Sequence, residues 1–154
     1  MIRNATLKDL EILAALNEDV QNLHHAAVPG IFKPFNKKAT LALFRQIIRK
    51  RNFKFLLEFL GGEPRGYALI EIKKHKNTAF VRAYSAVYIH HIAVGKKHHN
   101  AGVGKSLIEE IKSTAARSKI KRIELDVWDF NGSAKKFFGG RGFHVYNEKM
   151  YLEL

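Results

Sequence analysis

The chain contains no cysteine among its 154 residues. It therefore has no disulfide framework, no cysteine-type zinc site and no thiolate nucleophile, and any group transfer it performs proceeds without a cysteine-bound intermediate. It also lacks an apolar run near the roughly 18 residues that cross a bilayer, and its first residues lack the basic-then-apolar layout of a secretory signal. We expect a cytoplasmic protein with no membrane partner.

Acidic residues are scarce, because 14 Asp and Glu stand against 27 Lys and Arg, which gives a net charge of +13. Two interpretations of this charge stay open. It can be a solvated basic surface, or a basic patch that serves an acidic or nucleic-acid-linked substrate. In its strongest form, the second interpretation makes the chain a basic nucleic-acid-binding module.

Size and apolar content indicate a single domain over residues 1–154. A chain of this length can bury a substantial core, and 46% apolar residues with 11 Phe is typical of a globular protein. Segments with helical and strand periodicity are interspersed, which predicts a mixed α+β fold. Helices are predicted over 7–25, around 41–48 and from about 104, and strands over 1–5, 53–60, 66–73, 83–94, 123–128 and within 143–154.

The most informative stretch is an apolar strand, ending at Ile92, Ala93 and Val94, that runs through a basic turn into an amphipathic helix. The first turn of that helix, near Gly104, presents backbone N–H groups without intrahelical acceptors at the positive end of the helix dipole. Gly102 and Gly104 let a phosphate approach this backbone closely. The pattern predicts a phosphate or pyrophosphate site.

The spacing of the glycines argues against two common phosphate-binding motifs. A P-loop needs a glycine five residues before Gly104, where His99 stands. A dinucleotide-binding motif needs a third glycine at the position of Leu107.

The turn resembles instead the Q/R-x-x-G-x-G/A signature of the GNAT superfamily of acyl-CoA-dependent N-acyltransferases, with His99 in place of Gln or Arg. A second block, residues 125–143, is similar to the family's second CoA-contacting segment, with a strand, Asn131, a short helix and a closing Gly142-Phe143. The resemblance implies an α+β fold with a mostly antiparallel central sheet flanked by helices. It implies direct transfer of an acetyl group from acetyl-CoA to a primary amine. The cofactor-binding residues that it implies are Ile92, Ala93, Val94, His99, Asn100, Ala101, Gly102, Val103, Gly104, Lys105, Asn131, Ala134 and Phe138.

Position 138 departs from the family pattern, because Phe138 stands where many members place a tyrosine that donates a proton to the departing thiolate. Water or another tyrosine (Tyr88, Tyr146 or Tyr151) can take this role, or the thiolate can leave without a donor. The alternative is a degenerate CoA-binding regulator.

Three residues are candidates for removing the proton of the amine: Asp126, His90 and Tyr88. Asp126 is the first choice, because it lies on the strand that should flank the reaction cleft. His90 is expected to share a strand face with Tyr88 and Ile92, and a neutral imidazole suits proton removal near pH 7. Strand alternation places His91 on the opposite face, so the two histidines cannot share a metal and no metal site is expected.

The first half of the chain is expected to supply the walls of the acceptor cleft. Its candidate residues are His24, His25, Phe32, Phe35, Glu58 and Glu71, although the aromatic residues could equally form a packed loop. The acceptor stays open between an amine-bearing small molecule, a peptide N-terminus and an RNA-linked substrate. A homodimer is a further expectation, because many members of the family form one.

Overall fold

The computed structural model describes all 154 residues and contains five β-strands and four α-helices. In chain order the elements are β1 (Ile2–Asn4), α1 (Leu10–Ala27), α2 (Lys37–Ile47), β2 (Phe53–Leu60), β3 (Glu63–His75), β4 (Tyr84–Val94), α3 (Val103–Arg117), β5 (Ile123–Leu125) and α4 (Gly132–Gly139). Single 3-10 turns, Leu7–Asp9 and Lys96–His98, precede α1 and follow β4.

The strands form one sheet in the order β1-β2-β3-β4-β5, in which the first four are antiparallel and β5 runs parallel to β4. The β2–β3 hairpin turns at Gly61 and Gly62, whose φ angles of +57° and +84° favour glycine. Because β3 begins at Glu63, this turn is shorter than the gap of residues 61–65 between the strands predicted over 53–60 and 66–73. The predicted α+β class is confirmed.

Helices cover both faces of the sheet. On one face α3 packs through Leu107, Ile108 and Ile111 against the apolar side chains of the central strands. On the other face α1 and α2 pack through Leu13 and Phe44. The helices that carry the two cores are therefore the amphipathic segments that the periodicity predicts.

A β-bulge at His90 changes the faces of β4. The register passes from Ile70↔Ile89 to Leu69↔His91, which leaves His90 without a partner on β3. His90 stacks on Phe53, which packs on the α1/α2 face, and His91 contacts Tyr67 and Phe44 on that same face.

The bulge corrects two of the sequence predictions. His90 and His91 lie on the same side of the sheet instead of opposite sides. His90 shares its face with Tyr88, as predicted, but Ile92 packs into the α3 core on the other face. One extra residue in a strand inverts the alternation that follows it, and the sequence pattern does not reveal which residue is extra.

The carboxyl-terminal segment is also different from the prediction. Residues 143–154 form no strand, and β5 ends at Leu125 instead of continuing to Trp128. A strand needs a neighbour for its backbone hydrogen bonds, and no strand pairs with this segment. Its apolar side chains Val145, Tyr146, Met150, Tyr151, Leu152 and Leu154 are exposed. None of the helices is long and apolar enough to span a membrane.

Candidate active site

The candidate site is an opening between two adjacent strands of the sheet. β4 and β5 pair over three positions only, from Val87↔Ile123 to Ile89↔Leu125. β5 then ends, while β4 continues to Val94 beside β3 alone. The backbone edge of β4 that faces away from β3 is thus without a strand neighbour over Ile92, Ala93 and Val94. An extended ligand can add to such an edge in the manner of a strand.

The turn after β4 exposes backbone donors at the mouth of α3. The N–H groups of Val103, Gly104 and Lys105 have no backbone acceptor, since the first helical bond runs from Ser106 N–H to the Gly102 carbonyl at 3.0 Å. Together with the helix dipole they form a site suited to an anion. α3 begins at Val103, one residue before the predicted start.

Gly102 and Gly104 are glycines for different reasons. Gly102 has a φ of +80°, and a Cβ there would meet no atom within 4 Å, so its backbone conformation accounts for the glycine. A Cβ at Gly104 would lie 2.9 Å from the ring of Phe137 on α4. Gly104 therefore permits contact between the two helices. The adjoining Asn100 is also left-handed, with a φ of +62°.

Only some basic residues of the turn are available to an anion. Lys96 pairs with Asp19 at 2.7 Å, and this hydrogen bond raises the pKa of Lys96. Lys105 is exposed and has no ion pair. His99 donates from Nε2 to the carbonyl oxygen of Val94 at 3.0 Å, so its ring lies beside the edge of β4.

A buried ionic cluster supports the turn from below. Glu58 on β2 is 3% exposed, accepts from Arg65 Nη2 at 2.5 Å, and accepts from Ser106 Oγ on α3 at 2.5 Å. The prediction that Glu58 lines the acceptor cleft is wrong, because its carboxylate is buried beneath the first turn of α3 and bonded to Arg65 and Ser106. The sequence does contain a signal for this burial. Glu58 lies inside the apolar run 55–60, where a charged side chain needs a buried partner.

The three proton-transfer candidates are close together. Tyr88 Oη donates to Asp126 Oδ2 at 2.6 Å, and the Tyr88 ring contacts the His90 ring edge-to-face at 4.8 Å between centroids. His90 Nε2 lies 2.8 Å from Glu71 Oε2, and Lys73 Nζ lies 3.4 Å above the Tyr88 ring. Burial, with the neighbouring Asp126 carboxylate, raises the pKa of Tyr88, so this phenol is protonated at neutral pH.

Glu71, which the sequence suggests only as a residue of the acceptor cleft, is the hydrogen-bond partner of His90. In the neutral imidazole Nε2–H donates to the Glu71 carboxylate, which leaves Nδ1 as the acceptor. Glu71 pairs with Tyr88 across β3 and β4, and β4 places His90 two residues further on. Glu71 and His90 can therefore be recognised as neighbours once the register of β3 and β4 is known.

A buried polar chain leads to His91. Asn17 Nδ2 on α1 donates to Tyr67 Oη at 2.9 Å, and Tyr67 Oη lies 3.2 Å from His91 Nδ1. Burial and, to a smaller extent, the neighbouring His90 and His24 lower the pKa of His91 to about 4. His91 is consequently neutral at pH 7.

Asn131 caps the amino-terminal end of α4, since its Oδ1 accepts from the Ala134 N–H at 3.1 Å and from Ser133 Oγ at 3.0 Å. Its amide nitrogen makes no hydrogen bond and is available to a ligand. Phe138 packs edge-to-face with Phe137 at 5.1 Å and with Phe143 at 5.4 Å between centroids. Position 138 therefore has a packing role in the α3 core.

Four rings form what we call the aromatic wall: His24, Phe32, Trp128 and Phe130. Centroid distances are 4.9 Å for His24–Phe32, 4.9 Å for Phe32–Trp128 and 5.5 Å for His24–Phe130, all edge-to-face. The loop after α1 is ordered by His25 Nδ1, which donates to the Phe32 carbonyl at 2.7 Å. The loop is thus packed, and it packs against the segment that follows β5.

The chain is similar to known proteins in sequence family and in fold. The family model described as the acetyltransferase (GNAT) family matches residues 17–143. No curated protein matches the sequence. Among solved structures, a tetramutant of the BH1408 protein from Bacillus halodurans has a TM-score of 0.95 and 26% identity, with 100% of this chain and 99% of that chain covered.

Two aminoglycoside N-acetyltransferases share the fold at lower identity. AAC(6')-Iy, in complex with a CoA-based bisubstrate analogue, has a TM-score of 0.78 and 18% identity over 100% of this chain and 97% of that chain. AAC(6')-IG from Acinetobacter haemolyticus has a TM-score of 0.78 and 14% identity over the same shares.

Proposed function

The chain belongs to the acetyltransferase (GNAT) family, and from that premise we propose that it transfers an acetyl group from acetyl-CoA to a primary amine by direct nucleophilic attack. One observation carries the proposal. The opening between β4 and β5 has the anion-binding turn at one end, after Val94, and the cluster of Tyr88, Asp126 and His90 at the other.

The residues along the opening fit the parts of CoA. The free N–H groups of Val103, Gly104 and Lys105 would hold the pyrophosphate, and the Lys105 ammonium adds a positive charge. The backbone groups on the open edge of residues 92–94, apart from the Val94 carbonyl that His99 occupies, would pair with the amide groups of the pantetheine arm. Asn131 offers its free amide nitrogen from the start of α4. A solved relative with CoA in its bisubstrate ligand shares this fold.

Asp126 is the proposed general base. Tyr88 occupies one carboxylate oxygen, and the other is free to accept the proton of the amine. The amine nitrogen then forms its bond to the acetyl carbon, the carbon–sulfur bond breaks, and the electron pair stays on the thiolate. Tyr88, which burial keeps protonated, is the proposed donor to the thiolate and regains its proton from Asp126.

His90 is the second candidate base. Its Nδ1 is the available acceptor when Nε2–H donates to Glu71. Glu71 is in this case a positioning residue, because it orients the imidazole without touching the amine.

Two other functions are each favoured by one observation. Phe138 lacks the hydroxyl of the family pattern and is packed between two phenylalanines, which favours a CoA-binding regulator. The net charge of +13 favours a nucleic-acid-binding module or an RNA-linked acceptor.

Thermal unfolding with acetyl-CoA, followed by thiol release in the presence of a panel of amines, separates these functions. The enzyme is stabilised by acetyl-CoA and releases thiol with an amine. A regulator is stabilised but releases no thiol. A nucleic-acid-binding module retains RNA or DNA in a salt-sensitive manner and is not stabilised by acetyl-CoA.

We also propose a cytoplasmic homodimer. The exposed apolar side chains of residues 145–154, Met150 and Tyr151 among them, support association because the fold of one chain leaves them uncovered. Light scattering during gel filtration measures the mass, and a monomer at micromolar concentration contradicts the proposal.

A further inference from the structure

The aromatic wall presents open ring surface. Trp128 is 39% exposed and Phe130 is 38% exposed, although edge-to-face contacts hold both rings in place. Aromatic rings that only filled a core would be covered. Rings that are ordered and still exposed offer a preformed surface to another flat apolar group.

The wall stands beside the proton-transfer residues. Trp128 follows Asp126 by two residues in the segment after β5. His24 belongs to α1 and follows Asn17 by about two helical turns, and Asn17 is linked through Tyr67 to His91, the neighbour of His90 on β4. A molecule in contact with Trp128 is therefore two residues along the chain from Asp126, and the wall includes a residue of α1, the helix on the sheet face that carries His90.

Carboxylates are scarce at this position. The acidic residues with no Lys, Arg or His partner within 4.0 Å are Glu18, Asp126, Glu148 and Glu153, and of these Asp126 is the member of the proton-transfer cluster. Glu71 is bonded to His90 and lies 3.9 Å from Lys73 Nζ. An amine with several ammonium groups needs several carboxylates to offset the loss of its hydration. The site does not provide them.

We infer, on the premise of the proposed acetyl transfer, that the acceptor is a primary monoamine with an aromatic ring a short chain away from its nitrogen. The ring contacts the aromatic wall and the nitrogen faces Asp126. A free arylalkylamine and a peptide with an aromatic N-terminal residue share this chemistry. A polycationic aminoglycoside does not.

The first experiment uses Trp128 as its own reporter, because it is the only tryptophan of the chain. Phenethylamine is titrated into the protein saturated with CoA while the tryptophan emission is recorded. A saturable change in emission is expected with phenethylamine, and none with n-butylamine at equal concentration. Equal responses to the two amines, or no response to either, would overturn the inference.

The second experiment compares acceptors by kcat/KM with acetyl-CoA as donor: phenethylamine, n-butylamine, neamine, and matched peptides that begin with Phe or Gly. At least a tenfold preference for the aromatic amine over n-butylamine is expected, about 1.4 kcal/mol. The Phe and Gly peptides show whether the aromatic amine is taken free or at a peptide N-terminus. Neamine should be a poor acceptor.

Variants of Trp128 test whether the preference for the aromatic amine depends on the aromatic wall. Trp128→Ala should raise KM for phenethylamine about tenfold and leave KM for n-butylamine unchanged, whereas Trp128→Phe should retain most of the preference. Phe80→Ala is the matched control, because Phe80 is 97% exposed and lies outside the wall.

The outcomes separate this inference from the proposed function. If aliphatic amines or neamine are acetylated as efficiently as aromatic amines, the inference is wrong. Acetyl transfer itself is then still supported. If no amine is acetylated, the proposed acetyl transfer is wrong. The fluorescence titration then shows on its own whether the aromatic wall binds an aromatic amine.

Discussion

Gly104 and the ring of Phe137 are in contact across the α3–α4 junction, and a Cβ at position 104 would lie 2.9 Å from two atoms of that ring. The contact joins the glycine turn to the second motif of the family pattern. The sequence suggests that position 104 is glycine because a phosphate approaches the backbone there. The contact with Phe137 shows that packing also requires a glycine at this position. The two explanations predict different behaviour of variants.

Gly104→Ala should lower both stability and CoA affinity, because the new methyl group displaces Phe137 and with it the start of α3. Gly104→Val should be worse, with CoA affinity reduced by more than about 1.4 kcal/mol, a factor of ten. Unfolding in urea and CoA titration by calorimetry measure the two effects.

The double variant Gly104→Ala/Phe137→Leu distinguishes their causes. If packing is the only reason for the glycine, the smaller residue at 137 restores both stability and affinity. Restored stability with affinity still tenfold low would assign the glycine to the phosphate. A folded Gly104→Val with the CoA affinity of the parent would exclude the turn as the phosphate site.

Asp126→Asn should lower turnover about 10²-fold or more with little change in CoA affinity, since a general base contributes roughly 10² to 10⁴. Asp129→Asn is the matched control, because Asp129 is exposed, pairs with Lys135 and lies outside the cluster. Turnover by Asp126→Asn equal to that of the parent would move the role of base to His90, and Glu71→Gln would then be the variant that shifts the pH profile.

Phe138→Tyr restores the hydroxyl of the family pattern at a half-buried site between Phe137 and Phe143. CoA affinity should be unchanged and turnover equal or higher, as thiol release would show. A strong loss of turnover with fold and affinity preserved would mean that this ring shapes the acceptor pocket.

The long amphipathic segments were predictable, and the local pairings were not. The period of α1 and α3 and the apolar run of β2 identify these elements because one face of each must be buried. The bulge at His90 depends on how β4 pairs with β3, so no periodicity within β4 reveals it. Residues 123–128 alternate as a strand would, yet β5 ends at Leu125 where its neighbour diverges.

In the candidate site, too, individual residues were predictable and their contacts were not. The sequence indicates Asp126, Tyr88 and His90 as three separate candidates, and in the structure Tyr88 contacts both of the others. The Asn17–Tyr67–His91 chain was missed, because its members come from three distant segments and none of them belongs to a motif.

The cluster of Glu58, Arg65 and Ser106 should be essential for stability. Glu58→Leu leaves the Arg65 guanidinium buried without its partner, which should cost about 3 kcal/mol or more of the free energy of unfolding. Glu58→Leu/Arg65→Met removes both charges and should recover most of this loss. Urea denaturation measures all three proteins, and a double variant no more stable than the single one would contradict the ion-pair explanation.

His91 should make stability depend on pH below neutrality. Its pKa is about 4 in the folded protein and about 6.5 when unfolded. Between these values the unfolded chain binds the proton and the folded chain does not, so stability falls as pH falls from about 6.5 to about 4. The full difference is up to about 3 kcal/mol.

The groups that face His91 are Tyr67, His90 and His24. Asp9 acts in a separate window, because Arg3 holds the pKa of Asp9 well below its usual value and its contribution is lost only below about pH 4. Urea denaturation at pH 7 and at pH 4.5 should therefore show a loss of stability that His91→Gln largely abolishes and that the exposed-site control His144→Gln does not. The same loss in His91→Gln as in the parent would contradict the assignment of this pH dependence to His91.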